Sequence, residues 1–258
     1  MSRIAPKKSL GQHFLVDPNI LGVVARLAEL DGDDVVLEIG PGLGVLTSVL
    51  AGRCAHVHAV ELDERLEPPL RPIAARPNVS LHWGDALRLD LSALDPAPTK
   101  LVANLPYNVA TPIVAESLDG LPTVALWCVM VQREVADRFF AVPSTKAYGA
   151  VSVLVQLVAR RTGLHPVSRT VFRPPPNVES AIVAFRRIDS PEGFPRIRRL
   201  VEAAFAHRRK TFANSVEVAG LASRGEAVTA LGSLGLDPSV RAEALEPRVF
   251  LDLARLLG

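Results

Sequence analysis

The segment Val35-Val-Leu-Glu-Ile-Gly-Pro-Gly-Leu-Gly44 decides the fold of this chain. Its first five residues are apolar apart from one glutamate, as in a strand buried on both faces of a parallel sheet. Glycines follow at alternate positions, and an apolar stretch from about Val45 to Gly52 favours a helix. Glycines in such a turn let a ligand approach the backbone, and the first amides of the helix face it. The segment predicts a nucleotide or cofactor site in an α/β domain, with a purely structural turn as the alternative.

The rest of the chain extends this pattern into a doubly wound parallel sheet followed by a small helical domain. A helix is predicted from Asp17 to about Leu30, and no strand signal follows Pro195. The domains are therefore predicted at residues 1–190 and 191–258. The predicted strands are His56–Val60, Val79–His82, Lys100–Ala103, Val124–Val131, Leu164–Val171 and Ser180–Arg186, and further helices are expected at Gln132–Phe140 and Tyr148–Arg160.

Composition excludes several classes of protein. Apolar residues make up 48% of the chain and charged residues 22%, and the longest apolar run, Val124–Val131, is much shorter than a membrane helix. The basic N-terminus lacks the apolar region of a secretory signal, so a cytoplasmic protein is expected. Cys54 and Cys128 lie far apart without a C-x-x-C pair or clustered histidines, so neither a metal site nor a disulfide framework is expected.

Charge is sorted along the chain although the net charge is only +2. Residues 1–16, 160–173 and 196–210 together carry +12, so the remainder carries −10. Should these segments meet in space, they form a basic face suited to nucleic acid. Separate solvated charge runs are the alternative.

Two acidic residues fall where a cofactor in such a sheet is held. Glu61 ends the second strand 21 residues after Gly40, the place of an acid that binds both ribose hydroxyls. Asp85 follows the third strand, where a carboxylate can accept a hydrogen bond from an adenine amino group. Either residue alone could be an ordinary surface acid. The nicotinamide fingerprint is incomplete, because its third glycine is replaced by Val45.

The most specific signal is Asn104-Leu-Pro-Tyr107, at the end of the fourth strand. The exocyclic amine of adenine is a poor nucleophile because its lone pair is delocalised into the ring. If the Asn104 side-chain oxygen and the Leu105 carbonyl both accept hydrogen bonds from that amine, the nitrogen is drawn toward tetrahedral geometry. Pro106 would fix the backbone, and Tyr107 would stack on the base. A simple turn is the alternative.

These motifs, taken in order, resemble the KsgA-type ribosomal RNA adenine N6-dimethyltransferases. The resemblance covers nearly the whole chain and implies a Rossmann-like domain that uses S-adenosylmethionine to dimethylate two adjacent adenines near the 3′ end of small-subunit (16S) ribosomal RNA. The matching stretches are Lys8–Leu15, Glu38–Gly44, Glu61–Asp63, Gly84–Ala86, Asn104–Asn108, Phe172–Ser180 and Phe205–Thr211.

The resemblance also implies roles for single residues. Phe172 is expected to face Tyr107 across the target base, and His13 stands where many members have Asn. The C-terminal helices are expected to dock RNA through Arg208, Arg209 and Lys210. The cofactor set is His13, Leu15, Glu38, Gly40, Gly42, Glu61, Asp85, Ala86 and Asn104, and the catalytic set is Asn104, Leu105, Pro106, Tyr107 and Phe172.

The expected partner is the assembling 30S subunit, bound by a monomer without metal or membrane. Two other readings remain open at this point. One is the class that methylates a large-subunit (23S) adenine and confers macrolide resistance, which the Phe205–Thr211 stretch disfavours. The other is a non-catalytic RNA-binding assembly factor, which need not keep Glu61, Asp85 and Asn104–Tyr107.

Overall fold

A computed structural model describes residues 6–7 and 10–258 of the chain. The predicted segments Val35–Ile39 and Val45–Gly52 correspond closely to a strand and a helix of the structure. The strands are β1 (Phe14–Leu15), β2 (Val35–Ile39), β3 (His56–Glu61), β4 (Val79–Trp83), β5 (Lys100–Asn104), β6 (Leu126–Gln132), β7 (Ala159–Val167), β8 (Phe172–Arg173) and β9 (Ser180–Arg187). The helices are α1 (Pro18–Leu27), α2 (Val45–Ala51), α3 (Glu67–Ala74), α4 (Ala110–Gly120), α5 (Arg133–Phe139), α6 (Ala150–Val158), α7 (Phe194–Phe205), α8 (Phe212–Val218), α9 (Arg224–Ser233) and α10 (Pro247–Leu256).

Seven strands form one sheet in the order β4-β3-β2-β5-β6-β9-β7. The strands from β4 to β6 run parallel, and β9 runs antiparallel to β6. The chain moves outward from β2 to β4 and then returns to β5 on the other side of β2. This reversal opens a crevice at the carboxyl ends of β2 and β5, where ligands of such sheets bind. The predicted α/β class with a mostly parallel sheet is confirmed.

The interior strand β6 is buried and packs against neighbouring side chains. Every residue of Leu126–Val131 in β6 is buried, and Trp127 stacks on Phe185 with ring centroids 5.2 Å apart. The Arg187 guanidinium lies 4.7 Å from the centroid of the Trp127 ring. It also donates to the carbonyls of Leu118, Leu121 and Val124 at 2.7–3.0 Å, which satisfies acceptors at and just after the end of α4.

Contacts divide the chain into two compact units. The first comprises the described residues through Ala136 together with Arg160–Arg187, and the second comprises Asp137–Ala159 and Ile188–Gly258. The second unit is helical, with Phe250 6.0 Å from Phe205 and 6.3 Å from Phe212 between ring centroids.

The predicted boundary near residue 190 lies next to the junction after Arg187, but residues 137–159 pack with the second unit rather than the first. Helix α6 explains this difference, because seven of its nine residues are buried. A helix that is apolar all round needs cover on several sides. Helices α7 and α10 supply part of that cover.

The predicted helix Tyr148–Arg160 was wrong at its end, because β7 already begins at Ala159. Residues 159–167 lie beside β9 in the sheet, and this pairing overrides the helical periodicity. The predicted strand Leu164–Val171 also ends earlier in the structure, because β7 stops at Val167 and Arg169–Val171 form a short 3-10 helix. Among the described helices, none is long and apolar enough to cross a membrane.

Candidate active site

A cavity of about 300 Å³ lies at the carboxyl edge of the parallel strands, within the first unit. Its walls come from the turns after β2, β3, β4 and β5 and from the segment that precedes and includes β1. The structure thus brings together residues that are up to 103 positions apart in sequence, from Leu10 to Ile113. The predicted residues on its lining are His13, Leu15, Glu38, Gly40, Gly42, Glu61, Asp85, Ala86, Asn104, Leu105, Pro106 and Tyr107.

The glycine turn after β2 leaves no room for side chains. Gly40 and Gly42 have φ angles of 75° and 59°, which side chains rarely tolerate. A Cβ atom on Gly42 would lie 3.0 Å from the Phe14 ring, and one on Gly40 would lie 3.3 Å from Pro106. The turn therefore brings bare backbone to the cavity wall, as a cofactor cradle requires.

Glu38 is the most unusual group on the cavity wall. The residue is only 1% exposed, and its Oε2 atom has no hydrogen-bond partner among the described residues. Burial raises the pKa of Glu38 to about 8, the nearby Thr47 side chain partly offsets this rise, and the neighbouring Glu61 adds a smaller increase. A buried carboxyl oxygen without a partner calls for a donor or a positive charge from a ligand. This orphaned acceptor and the bare glycine turn fit a cationic cofactor such as S-adenosylmethionine.

Glu61 is tied to the backbone around it. Its Oε1 accepts from the amides of Leu62 and Asp63, each at 2.9 Å, and its Oε2 accepts from the amide of Gly42 at 3.1 Å. Burial raises the pKa of Glu61, and these backbone bonds partly offset that effect. A carboxylate accepts about four hydrogen bonds, so roughly one place remains, on Oε2. Glu61 thus retains acceptor capacity toward a ribose hydroxyl, and its hydrogen bonds to both hydroxyls stay a prediction.

Asp85 lies in the turn after β4. Its Oδ1 accepts from the amide of Leu87 at 3.0 Å, and Arg88 lies 3.6 Å from its Oδ2. The side chain is partly exposed, and both it and Ala86 line the cavity. Asp85 thus retains acceptor capacity toward a ligand.

The Asn104–Tyr107 motif is fixed by contacts along its whole length. Asn104 donates from Nδ2 to the His13 carbonyl at 3.1 Å, which makes the amide oxygen its acceptor end. The Leu105 amide donates to the Met130 carbonyl at 3.0 Å. The Tyr107 hydroxyl lies 2.5 Å from the Ser180 Oγ. Burial raises the pKa of Tyr107, so its phenol stays protonated at neutral pH.

His13 connects three parts of the site. Its ring centroid lies 5.3 Å from that of Tyr107 at an interplanar angle of 31°. Its Nδ1 lies 2.8 Å from the Pro174 carbonyl, so Nδ1 carries a proton and Nε2 is the acceptor in the neutral ring. Lys8 and Ser9, the start of this motif, lie outside the described residues.

Phe172 does not take the predicted place opposite Tyr107. It is 1% exposed and belongs to the hydrophobic cluster with Leu15 and Ile182, and it does not line the cavity. The pairing of β8 with β1, which sets Phe172 opposite Leu15, places it in the core. In this arrangement its ring is not available to a base.

No role was predicted from the sequence for Gln12 and Asp63, which form a hydrogen bond at the cavity wall. Gln12 lines the cavity and donates to the buried Asp63 carboxylate at 3.0 Å. Hydrogen bonds from Arg65 hold the pKa of Asp63 well below its usual range. Both residues lie inside the quoted motifs, but no spacing rule links positions 12 and 63.

In the second unit, Arg208, Arg209 and Lys210 lie between α7 and α8 and are exposed. Arg208 makes a long ion pair with Glu243 at 3.5 Å. Their role toward RNA stays a prediction. The predicted basic face formed by the three basic segments also stays a prediction, since Arg3 and Lys8 lie outside the described residues.

Comparison with known proteins agrees with the site. The chain matches the model of ribosomal RNA adenine dimethylase over residues 4–257. It is 50% identical over 255 residues to ribosomal RNA small subunit methyltransferase A of Rubrobacter xylanophilus, covering 98% of this chain and 95% of that protein. A dimethyladenosine transferase from Plasmodium falciparum is 25% identical with a TM-score of 0.79, covering 93% of this chain and 96% of that one. The 23S rRNA methyltransferase ErmE is 29% identical with a TM-score of 0.66, covering 95% and 99%.

The family match, together with the glycine turn and acidic side chains at the carboxyl edge of the sheet, places the chain in the class of S-adenosylmethionine-dependent methyltransferases. The match extends over almost the full chain, including the helical second unit. The chain belongs to the ribosomal RNA adenine dimethylase family.

Proposed function

We propose that this chain dimethylates the N6 amine of two adjacent adenines in a hairpin near the 3′ end of small-subunit ribosomal RNA. The assembling 30S subunit is the proposed substrate. The observation that carries the proposal is the orientation of Asn104. Because its Nδ2 is engaged by the His13 carbonyl, its oxygen is the atom that can accept from a substrate amine at the cavity.

The cofactor is proposed to bind along the glycine turn. S-adenosylmethionine supplies an electrophilic methyl group on a positively charged sulfonium. Glu38 offers an unpartnered acceptor to the positive charge, Glu61 retains one acceptor position for a ribose hydroxyl, and Asp85 lies at the adenine end. The amides at the start of α2 complete the cradle.

Asn104 and Leu105 are proposed to activate the amine. When their oxygens accept its two N–H bonds, the nitrogen lone pair points out of the base plane toward the methyl carbon. S-adenosylmethionine held by Glu38, Glu61 and Asp85 would supply the methyl group to this lone pair, and the amine would give up its proton to water. After the first transfer one N–H bond remains to be held, so the motif does not stop the reaction at one methyl group.

Tyr107 is proposed to supply the stacking face for the base. Its protonated phenol makes it a poor proton acceptor at neutral pH. The target base must leave its stack at a cost of a few kcal/mol, which is least for loop nucleotides. A hairpin loop is therefore the favoured target. Exposed Arg208, Arg209 and Lys210 are proposed to contact phosphates.

Similarity supports the small-subunit assignment over the large-subunit alternative. The relative named for the small subunit is 50% identical, whereas ErmE is 29% identical. Transfer of labelled methyl groups to unmethylated 30S and 50S subunits tests the proposal. We expect label in 30S RNA and its loss with Asn104→Ala. Label confined to 50S RNA would overturn the substrate assignment, and binding without any transfer would favour the assembly-factor alternative.

A further inference from the structure

Ser180 ends a motif that the proposed function leaves without a role. It is the first residue of β9, is 1% exposed, and pairs in register with Gln132 of β6. Its Oγ lies 2.5 Å from the Tyr107 hydroxyl, although 73 residues separate the two in sequence. This is a short hydrogen bond between the buried Ser180 hydroxyl and the half-buried Tyr107 hydroxyl.

Two neighbouring strands hold the loop that follows β5. Strand β6 fixes its start, because the Met130 carbonyl accepts from the Leu105 amide at 3.0 Å. Strand β9 fixes its far end through the Ser180 hydroxyl. The Tyr107 ring is thus tethered at its distal atom, while the His13 ring lies 5.3 Å away.

We propose that Ser180 is a positioning residue, which sets the plane of the Tyr107 ring so that an extruded adenine stacks with its amine at Asn104 and Leu105. This inference rests on the proposed function. A ring fixed before the base arrives makes a reactive geometry more frequent without adding any contact to the cofactor. Loss of the tether should therefore slow methyl transfer and leave cofactor affinity unchanged.

A double-mutant cycle tests this role. Ser180→Ala removes the tether from one side, and Tyr107→Phe removes it from the other while it keeps the stacking ring. We expect Ser180→Ala to lower the single-turnover rate on 30S subunits about 10-fold, which corresponds to about 1.4 kcal/mol. The double variant should be no slower than the slower single variant, because both changes break one interaction.

Ser117→Ala is the matched control. Ser117 is also a buried serine of the first unit, and its hydroxyl accepts from Trp127 Nε1 at 2.8 Å, but it does not line the cavity. This variant loses a buried hydrogen bond of similar kind, so it is expected to lower the melting temperature and keep the wild-type rate. Calorimetry of S-adenosylmethionine binding to all variants should give dissociation constants within twofold of wild type.

Three outcomes would overturn the inference: a wild-type rate for Ser180→Ala, additive losses in the double variant, or a slowed rate that is matched by an equal loss of cofactor affinity. If Ser180→Ala does not fold, Tyr107→Phe at the wild-type rate would equally refute it. Wild-type protein that methylates neither subunit contradicts the proposed function itself. The two failures are therefore distinguishable.

Discussion

Cofactor binding should release a proton from Glu38. Its carboxyl is buried, one of its oxygens has no partner among the described residues, and its pKa is raised to about 8. At pH 7 most ligand-free molecules then carry a proton there. A bound sulfonium and amino group favour the charged carboxylate and lower this pKa. We therefore expect most of one proton to be released per cofactor at pH 7, and a smaller fraction as the pH rises past about 8.

Titration calorimetry in two buffers of different ionisation enthalpy measures this number directly. Glu38→Gln should abolish most of the release, whereas Glu64→Gln, at an exposed position three residues after Glu61, should keep it. The affinity of the wild type should rise with pH up to about 8, by at most about tenfold per unit, and that of Glu38→Gln should be flatter. Wild-type binding without proton release at pH 7, or equal release by Glu38→Gln, would show that Glu38 is not the group that loses the proton.

Four further changes probe the rest of the site and the fold. Glu61→Ala removes a buried acceptor and the anchor of the Gly42 amide, so calorimetry should show a loss of roughly 1.5–3 kcal/mol in cofactor affinity, while Glu64→Ala should show none. Asn104→Ala should slow single turnover at saturating cofactor far more than it weakens RNA binding, and a wild-type rate there would remove the amide from amine activation. Replacing Arg208, Arg209 and Lys210 together should reduce the slope of log binding constant against log salt concentration by about 0.7–0.9 per lost phosphate contact. An unchanged slope would mean that these three residues do not contact RNA. Burial, with the neighbouring histidines His58 and His56, lowers the pKa of His82 in the folded protein. The unfolded chain therefore binds this proton first, and the free energy of unfolding falls as pH drops below about 6.5. Urea unfolding of His82→Gln should show a smaller fall in this free energy between about pH 6.5 and 5, and an equal fall would contradict this assignment.

The position of the candidate site could be predicted from sequence because of a simple topological rule. Glu38, Glu61, Asp85 and Asn104 each lie in or directly after a parallel strand, and the carboxyl ends of such strands share one edge. A local motif and its strand therefore suffice to bring these residues to one cavity, and the structure confirms that they line it.

Contacts between distant segments could not be predicted in the same way. The burial of Phe172 depends on the pairing of two-residue strands, and the Ser180–Tyr107 bond depends on the register of β9 against β6. The missing partner of the Glu38 Oε2 follows from three-dimensional packing. Likewise, the apolar helix α6 could be assigned to the second unit only once its neighbours were known.

Asn104 and Leu105 are proposed to hold a ribosomal adenine amine through two successive transfers. Mass spectrometry of nucleosides from digested RNA tests it most directly, after reaction of the protein and S-adenosylmethionine with unmethylated 30S and 50S subunits. We expect N6,N6-dimethyladenine at two adjacent adenines of 30S RNA and none in 50S RNA. Dimethyladenine in 50S RNA alone, or monomethyladenine as the sole end product, would contradict it.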